Sequence, residues 1–272
     1  MPIKLIVSDL DDTFLNDESK IPQKNRESLD YIKSRGVDFA VCSGRSYISL
    51  DPFLAELGLK EPGNYGLAFQ GAVVYKADTL EIIKAHYLRL TVMRRIMGIL
   101  RSFPKIREID ILVYDKNSVV TAERDSDNFR GYYGFAKIPH RLVGSLDEIG
   151  DDVCKMLLVG RPPTLRELEG FVLPELPDGA SMFFSKEHFL EFTDKKGTKG
   201  DGVRALAEIL GITLDEVVTM GDSWNDLAML AGFPNSVGVR TGVPEVIKQA
   251  SYITKATNSE GILPEIIEKW GI

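Results

Sequence analysis

Apolar and polar positions alternate along the chain in a way that predicts strands and helices in turn over its first and last thirds. Short runs of β-branched and aliphatic residues are typical of buried strands, and apolar residues at helical spacing predict the helices between them. The predicted strands are Ile3–Ser8, Val37–Cys42, Leu67–Phe69, Ala72–Tyr75, Val217–Met220, Val237–Val239 and Tyr252–Thr254. The predicted helices are Pro22–Arg35, one that ends near Gly58, one that begins after Thr198 and ends at Gly211, Asn225–Ala231, Pro244–Ala250 and Pro264–Trp270. This alternation predicts a Rossmann-like, doubly wound parallel sheet with helices on both faces.

The middle of the chain has a different pattern. A helix at Val92–Phe103 precedes two short runs, Ile109–Tyr114 and Val119–Thr121, which an Asp-Lys-Asn sequence separates as in a hairpin. The later elements are a helix near Leu165–Phe171 and the strands Val153–Val159, Met182–Phe184 and Phe189–Phe192. We therefore predict an α/β core domain of residues 1–85 and 193–272, with an α+β domain of residues 86–192 inserted into it.

Composition narrows the functional classes. The 272 residues are 44% hydrophobic, and a formal net charge of -7 with no basic run argues against nucleic acid as a partner. Asp9 interrupts the apolar residues at the N-terminus, so we expect neither a signal peptide nor a membrane span. Cys42 and Cys154 have no metal-ligand spacing, which predicts reduced thiols in a cytoplasmic protein. The histidines form no ligand or triad pattern, which leaves carboxylates as the candidate chemistry.

Three aspartates, Asp9, Asp11 and Asp12, follow the first predicted strand within four positions. Like charges beside a buried strand are unfavourable unless something neutralises them. Ligands of an open parallel sheet bind beyond the carboxyl ends of its strands, so polar residues at the other strand ends are the candidate partners. These residues, together with a lysine at the start of the helix after the insertion, are Ser43, Gly44, Asp222, Asn225, Asp226 and Lys199.

The residue types at these strand ends suit phosphoryl transfer. If the carboxylates of Asp9 and Asp222 converge, they form an oxygen-rich site of the kind that binds Mg2+. Hydrogen-bond donors suited to phosphate oxygens are Ser43, the amide of Gly44, Lys199 and Asn225. Each cluster alone also fits a simpler role, such as a helix cap or a solvated lysine. Their occurrence together favours a site.

In order and spacing, these residues resemble the four motifs of haloacid dehalogenase (HAD)-type hydrolases. The four segments are Asp9-Leu10-Asp11-Asp12-Thr13, Ser43-Gly44-Arg45, Thr198-Lys199-Gly200 and Gly221-Asp222-Ser223-Trp224-Asn225-Asp226. The insertion between the second and third motifs is similar in position to the C2 (IIB) cap of the Cof-type sugar-phosphate phosphatases. The likeness continues from Gly242-Val243-Pro244 to Asn258-Ser259-Glu260-Gly261, but it says little about the residues of the cap.

The resemblance implies a role for each matched residue. Asp9 is the nucleophile that forms an aspartyl-phosphate, and Asp11 is first the general acid and then the general base. Mg2+ is held by the carboxylates of Asp9 and Asp222 and by the backbone carbonyl of Asp11, while Asp226 orients a metal-bound water or Lys199. The residues implied in phosphate binding are Ser43, Lys199, Asn225 and the amides of Leu10 and Gly44.

Two positions depart from the family pattern. Asp12 stands where the family usually has Gly, and Ser43 replaces the commoner Thr while keeping the hydroxyl. Aspartate tolerates unusual backbone angles better than most residues, so we expect the turn at Asp12 to be retained. No role is assigned to the Asp12 side chain.

The expected function is a Mg2+-dependent phosphatase of small phosphorylated metabolites, with sugar phosphates the class that the resemblance implies. A phosphomutase or phosphotransferase of the same fold would use the same aspartyl-phosphate and differ in its cap residues. A signalling receiver also surrounds a phosphorylated aspartate with acidic residues, Ser or Thr, and Lys. It is a far shorter module, however, and here Asp11 stands two residues from the phosphoacceptor. The sequence gives neither the physiological substrate nor the oligomeric state.

Overall fold

The computed structural model describes residues 2–272, without the side chains of residues 135 and 136. The first elements in chain order are β1 (Leu5–Ser8), α1 (Gln23–Ser34), β2 (Asp38–Cys42), α2 (Tyr47–Glu56), β3 (Tyr65–Ala68), β4 (Val73–Lys76) and β5 (Ile82–Ala85). The next are α3 (Leu90–Ser102), β6 (Asp110–Tyr114), β7 (Val120–Ala122), α4 (Asp127–Ala136), β8 (His140–Leu142), β9 (Lys155–Val159), α5 (Pro162–Val172), β10 (Ala180–Lys186) and β11 (Phe189–Asp194). The last are α6 (Lys199–Leu210), β12 (Val217–Gly221), α7 (Leu227–Ala231), β13 (Asn235–Gly238), α8 (Pro244–Gln249), β14 (Tyr252–Ile253) and α9 (Leu263–Trp270).

The chain forms two compact units. One consists of Met1–Lys84 and Thr198–Ile272, and the other of Ala85–Gly197. A turn closed by a hydrogen bond from the Gly197 amide to the Asp194 carbonyl separates β11 from α6. The assignment of residues 86–192 to an inserted domain stays a prediction.

The first unit contains an eight-stranded sheet with the order β14-β13-β12-β1-β2-β3-β4-β5. Neighbours from β14 to β3 pair in parallel, which confirms the predicted doubly wound α/β fold. β3 and β4 pair antiparallel, although alternating elements led us to expect parallel neighbours. The turn Phe69–Gly71 between them is far too short for the crossover that a parallel pair needs. The edge strand β5 was not predicted.

Helix α6 begins and ends where the sequence indicates. The Thr198 hydroxyl accepts a hydrogen bond from the Asp201 amide, as an N-cap residue does, and Gly211 ends the helix in the left-handed conformation. Its apolar residues Val203 and Leu206 belong to a buried cluster that includes residues of β1. This packing fixes the start of α6 relative to the sheet.

The second unit contains a six-stranded sheet with the order β10-β11-β9-β6-β7-β8. The antiparallel pair β6–β7 confirms the predicted hairpin, and the strands from β10 to β7 are all antiparallel, whereas β7 and β8 are parallel. Neither α4 nor β8 was predicted. Helix α4 contains Gly131 and Gly134, which are weak helix formers, so its sequence carries little helical signal.

Two sequence-level expectations can be compared with the structure directly. Among residues 2–272, no helix is long and apolar enough to cross a membrane. Cys42 and Cys154 are both buried and free, as predicted. Burial raises the pKa of both thiols, which favours their protonated, unreactive form.

Candidate active site

The parallel pairing of β1 with β12 brings two predicted metal ligands to the same edge of the sheet. Ser8 stands opposite Met220, and the Asp9 amide continues the ladder by donating to the Met220 carbonyl at 2.9 Å. Asp9 and Asp222 directly follow these strands. Carboxylate oxygens of Asp9, Asp222 and Asp226 all lie within 4.8 Å of one another. The expectation that polar residues at the carboxyl ends of parallel strands lie close together is therefore confirmed for Asp9 and Asp222.

Lys199 brings a positive charge to this cluster. Its side chain is fully buried, and its Nζ lies 2.6 Å from Asp9 Oδ1 and 2.6 Å from Asp226 Oδ1. Burial alone would favour the neutral amine, but the charges of Asp226 and Asp9 raise the pKa of Lys199 above its ordinary value. The ammonium is therefore charged and holds two carboxylates from different elements.

Glycines allow α6 to start close to the strand ends. A Cβ atom on Gly200 would lie 2.5 Å from the Ala228 carbonyl oxygen, and one on Gly202 would lie 2.7 Å from the Cα of Gly71. A Cβ atom on Gly71 would in turn lie 2.9 Å from the Cα of Lys199. Because these distances leave no room for a side chain, the glycines set where Lys199 enters the site.

Both oxygens of the Asp226 carboxylate are engaged by the protein. Oδ1 accepts from Lys199, while Oδ2 accepts from the backbone amides of Asp222 and Ser223, each at 2.9 Å. The carboxylate packs against Gly221, where a Cβ atom would lie 2.5 Å from its Cγ. These contacts suit a residue that orients Lys199 and the loop after β12.

Burial and the repulsion of neighbouring carboxylates raise the pKa values of Asp9 and Asp222. Burial and then the charge of Asp226 raise the pKa of Asp222 to about 7, against a hydrogen bond from the Thr13 hydroxyl. Burial also raises the pKa of Asp9 well above its usual value, although Lys199 opposes this. Three carboxylates around one ammonium carry an excess of negative charge. The residues therefore fit a hard divalent cation, with Asp9 and Asp222 as its carboxylate ligands.

Asp11 has a different partner from Asp9. Arg45 donates from Nε to Asp11 Oδ2 at 2.8 Å and from Nη2 to Asp11 Oδ1 at 2.6 Å, which is the bidentate geometry of a strong ion pair. The guanidinium also lies over the Phe53 ring, 4.8 Å from its centroid. The next residue, Asp12, has a φ of 60°, which confirms the expected turn geometry.

The predicted phosphate-binding residues Gly44 and Asn225 meet at a third residue, Gln70. Asn225 Nδ2 donates to Gln70 Oε1 at 2.9 Å. A Cβ atom on Gly44 would lie 2.4 Å from Gln70 Nε2, so the amide group rests against this glycine. Ser43 is buried, and its Oγ accepts from the Arg45 amide at 3.3 Å. These donors come from the ends of three different strands.

Three residues with contacts in the site were not among the predicted site residues. Thr13 and Arg45 lie inside the motif segments, Thr13 two residues after Asp11 and Arg45 next to Gly44, so their neighbours in sequence could have indicated them. Gln70 directly follows the predicted strand Leu67–Phe69, so its position at a strand end could have indicated it, although an uncharged amide carries little signal. The side chain of Leu10 is fully buried, and the role of its amide stays a prediction.

Comparisons with known proteins show the family of the chain. The sequence matches the haloacid dehalogenase-like hydrolase family over residues 6–266. The 5-amino-6-(5-phospho-D-ribitylamino)uracil phosphatase YbjI of Escherichia coli is 27% identical over 99% of this chain and 96% of its own. The Bacillus subtilis phosphatase YwtE, which has the same descriptive name, is 25% identical over 96% of each chain.

A solved structure gives the same result for the fold. The crystal structure of a haloacid dehalogenase-like hydrolase from Bacteroides thetaiotaomicron superimposes with a TM-score of 0.84 and 29% identity, covering 98% of this chain and 99% of that one. Sequence and fold thus match over nearly the whole length, and the chain belongs to the haloacid dehalogenase-like hydrolases as a Cof-type phosphatase.

Proposed function

We propose that the protein hydrolyses phosphomonoesters of small metabolites in a Mg2+-dependent reaction that passes through an aspartyl-phosphate on Asp9. The observation that carries this proposal is the burial of Asp9 between Lys199 and Asp222, with Ser43 and Gly44 after the neighbouring strand β2 and Asn225 after the neighbouring strand β12. A nucleophilic carboxylate, an ammonium and neutral donors are the groups that a phosphoryl-transfer site requires.

The metal would be held by the carboxylates of Asp9 and Asp222 and by the backbone carbonyl of Asp11. Asp226 would stay in its present contacts and keep Lys199 in place, since both of its oxygens already accept hydrogen bonds. When bound, Mg2+ neutralises negative charge on the phosphoryl oxygens and on the carboxylates around them.

In the first step, a carboxylate oxygen of Asp9 attacks phosphorus, and the bond from phosphorus to the ester oxygen breaks. The departing alkoxide takes a proton from the Asp11 carboxyl, which becomes a carboxylate. Ser43, Lys199 and Asn225 donate hydrogen bonds to the phosphoryl oxygens and hold the group in line. The product of this step is the free alcohol together with the aspartyl-phosphate.

In the second step, Asp11 acts in the opposite sense. Its carboxylate removes a proton from water as the water oxygen attacks phosphorus, and the bond to Asp9 breaks to release inorganic phosphate and the free carboxylate. The two hydrogen bonds from Arg45 orient the Asp11 carboxylate for this step. Asp11 can serve both steps because the second step reverses the proton transfer of the first.

The proposed substrates are small phosphorylated metabolites, with sugar phosphates the first class to test, in a cytoplasmic protein without a nucleic-acid or membrane partner. Support comes from the names of the relatives YbjI and YwtE, whose substrate carries its phosphate on a ribityl chain. The acidic net charge of -7 further argues against nucleic acid.

The test is the release of inorganic phosphate from p-nitrophenyl phosphate and from a panel of sugar phosphates, with Mg2+ and after chelation. We expect Asp9→Asn to lower kcat by roughly a thousandfold or more, because the nucleophile is lost. Asp30→Asn, which changes an exposed aspartate on α1, is the matched control and should leave kcat unchanged. Equal activity of wild type and Asp9→Asn, or no effect of chelation, would contradict the proposal.

A further inference from the structure

The turn after β3 has a backbone conformation that is unusual for its residues. Phe69, Gln70 and Gly71 have φ values of 51°, 63° and 83°, so three successive residues lie in the left-handed region. Glycine adopts this region freely, but a residue with a Cβ atom meets steric repulsion there, and Gln lacks the short polar side chain with which Asn and Asp offset it. Such conformations are retained where the surrounding structure holds them, and they cluster at functional sites.

The surroundings do hold this turn. The Phe69 amide donates to the Arg45 carbonyl at 2.9 Å, and the Gln70 amide donates to the Ser43 carbonyl at 3.0 Å. On its other side, Gly71 approaches the start of α6, where a Cβ atom on Gly71 would lie 2.6 Å from the Thr198 carbonyl oxygen. The turn therefore connects the loop after β2 with the helix that carries the buried lysine of the site.

The side chain of Gln70 is buried within this connection, with 2% of the residue exposed. Its Oε1 accepts from Asn225 Nδ2 at 2.9 Å, whereas its Nε2 has no hydrogen-bond partner among the residues that the structure describes. The same holds for Asn225 Oδ1. In this orientation of the two amide groups the unpaired donor is the NH2 group of Gln70, whereas rotating both groups by 180° would leave the NH2 group of Asn225 unpaired. Buried amide donors are rarely left unsatisfied, so this one points to a ligand.

We propose that Gln70 Nε2 donates a hydrogen bond to an oxygen of the phosphoryl group, and so extends the phosphate-binding set beyond Ser43, Gly44, Lys199 and Asn225. This inference rests on the proposed function. Nε2 lies against Gly44, whose amide is a predicted phosphate donor, and Gln70 is hydrogen-bonded to Asn225, another predicted donor. A phosphate oxygen within reach of both neighbours satisfies the buried NH2 group and gains a neutral donor. Gln70 is then a ligand of the substrate.

Two variants separate this role from a purely structural one. Gln70→Glu keeps the shape and the oxygen that accepts from Asn225, but replaces the NH2 group by a second oxygen that repels phosphate. Gln70→Met keeps the approximate shape without charge and removes both polar atoms. Gln249→Glu makes the same chemical change at an exposed position at the end of α8 and serves as the matched control.

The primary measurement is the Kd of inorganic phosphate by titration calorimetry at saturating Mg2+, accompanied by kcat, KM and the melting temperature. We expect Gln70→Glu to raise the Kd by roughly tenfold or more, and Gln70→Met to raise it by about tenfold, the effect of losing one charge-assisted hydrogen bond. KM for p-nitrophenyl phosphate should rise in parallel, while Gln249→Glu leaves all values unchanged.

Phosphate binding within twofold of wild type in both variants would overturn the assignment of Gln70. If Gln70→Glu does not fold, Gln70→Met decides the question, because it introduces no charge. If the wild-type protein hydrolyses phosphomonoesters and both Gln70 variants bind phosphate as tightly as wild type, this inference is refuted while the proposed function stands. A wild-type protein that binds phosphate through Gln70 but hydrolyses no phosphomonoester would support this inference and refute the proposed function.

Discussion

Replacing Lys199 by Met tests the charge arrangement of the site most directly. Methionine has a similar length without the charge, so Asp9 and Asp226 lose the ammonium that lies 2.6 Å from each of them. Two opposite charges 4 Å apart attract by about 4 kcal/mol at an effective dielectric constant of about 20, and the desolvation of the ammonium offsets several kcal/mol of the total. Removing one partner of a buried ion pair typically costs about 3–5 kcal/mol of unfolding free energy.

This loss should depend on pH in a defined direction. Without Lys199, burial and repulsion raise the carboxyl pKa of Asp9 further above its value in the unfolded chain. A carboxyl with a raised pKa binds more protons in the folded state, so the unfolding free energy falls as the pH rises above the unfolded pKa. We therefore expect the full loss at pH 8 and a smaller one at pH 5, where more of the carboxyl is neutral.

The assay is thermal unfolding of wild type and variant without Mg2+ at both pH values. A loss of about 3–5 kcal/mol of unfolding free energy corresponds to a melting temperature lower by roughly 6–20 °C for a unit as long as the one that contains Lys199. Lys4→Met is the matched control, because Lys4 Nζ lies 2.8 Å from Glu216 Oε1 but its side chain is 51% exposed. Exposed pairs contribute less than about 1 kcal/mol. If Lys199→Met lowered the melting temperature no more than Lys4→Met at pH 8, the reasoning would be refuted.

Three further predictions follow from the geometry. Below pH 7 the Asp222 carboxyl, whose pKa is raised to about 7, holds a proton that Mg2+ must displace. Because the pKa of Asp9 is raised too, the Mg2+ affinity measured by calorimetry should fall by about tenfold or more for each pH unit below 7, and a pH-independent affinity would contradict this. Asp12→Gly should keep kcat within about twofold, since glycine adopts a φ of 60° freely; a tenfold loss would instead assign the side chain a role. Gly71→Ala should lower the unfolding free energy by about 1–3 kcal/mol and lower kcat, because its Cβ would meet Lys199, whereas Gly36→Ala, also at positive φ but with open space around it, should leave kcat unchanged.

The sequence predicts the acidic part of the site because one topological rule suffices for it. Asp9 and Asp222 follow apolar runs, and parallel strands bring their carboxyl ends to one edge. The start of α6 was predictable for a local reason, since Thr198 caps its own helix. Neither inference needs knowledge of side-chain contacts between distant segments.

Other features depend on contacts that no local pattern carries. The antiparallel pairing of β3 with β4 depends on the tight turn at Phe69–Gly71, which apolar periodicity does not reveal. Gln70 enters the site only because that turn is left-handed and tied to the loop after β2. The pairing of Asp11 with Arg45 likewise joins residues from two strand ends, and many geometries were compatible with the sequence.

Asp9 and Asp11 are close in sequence but contact different cations. The backbone turns between them, with a ψ of 133° at Asp11 and a φ of 60° at Asp12, so that Asp9 meets Lys199 while Asp11 meets Arg45. Asp9 shares its cation, Lys199, with Asp226. Burial is the main cause that raises the pKa of Asp9, and repulsion from Asp226 and Asp222, which belong to the segment after β12, adds to it. The need for a divalent cation therefore arises where two strand ends meet, and it would persist if Asp12 were replaced by glycine.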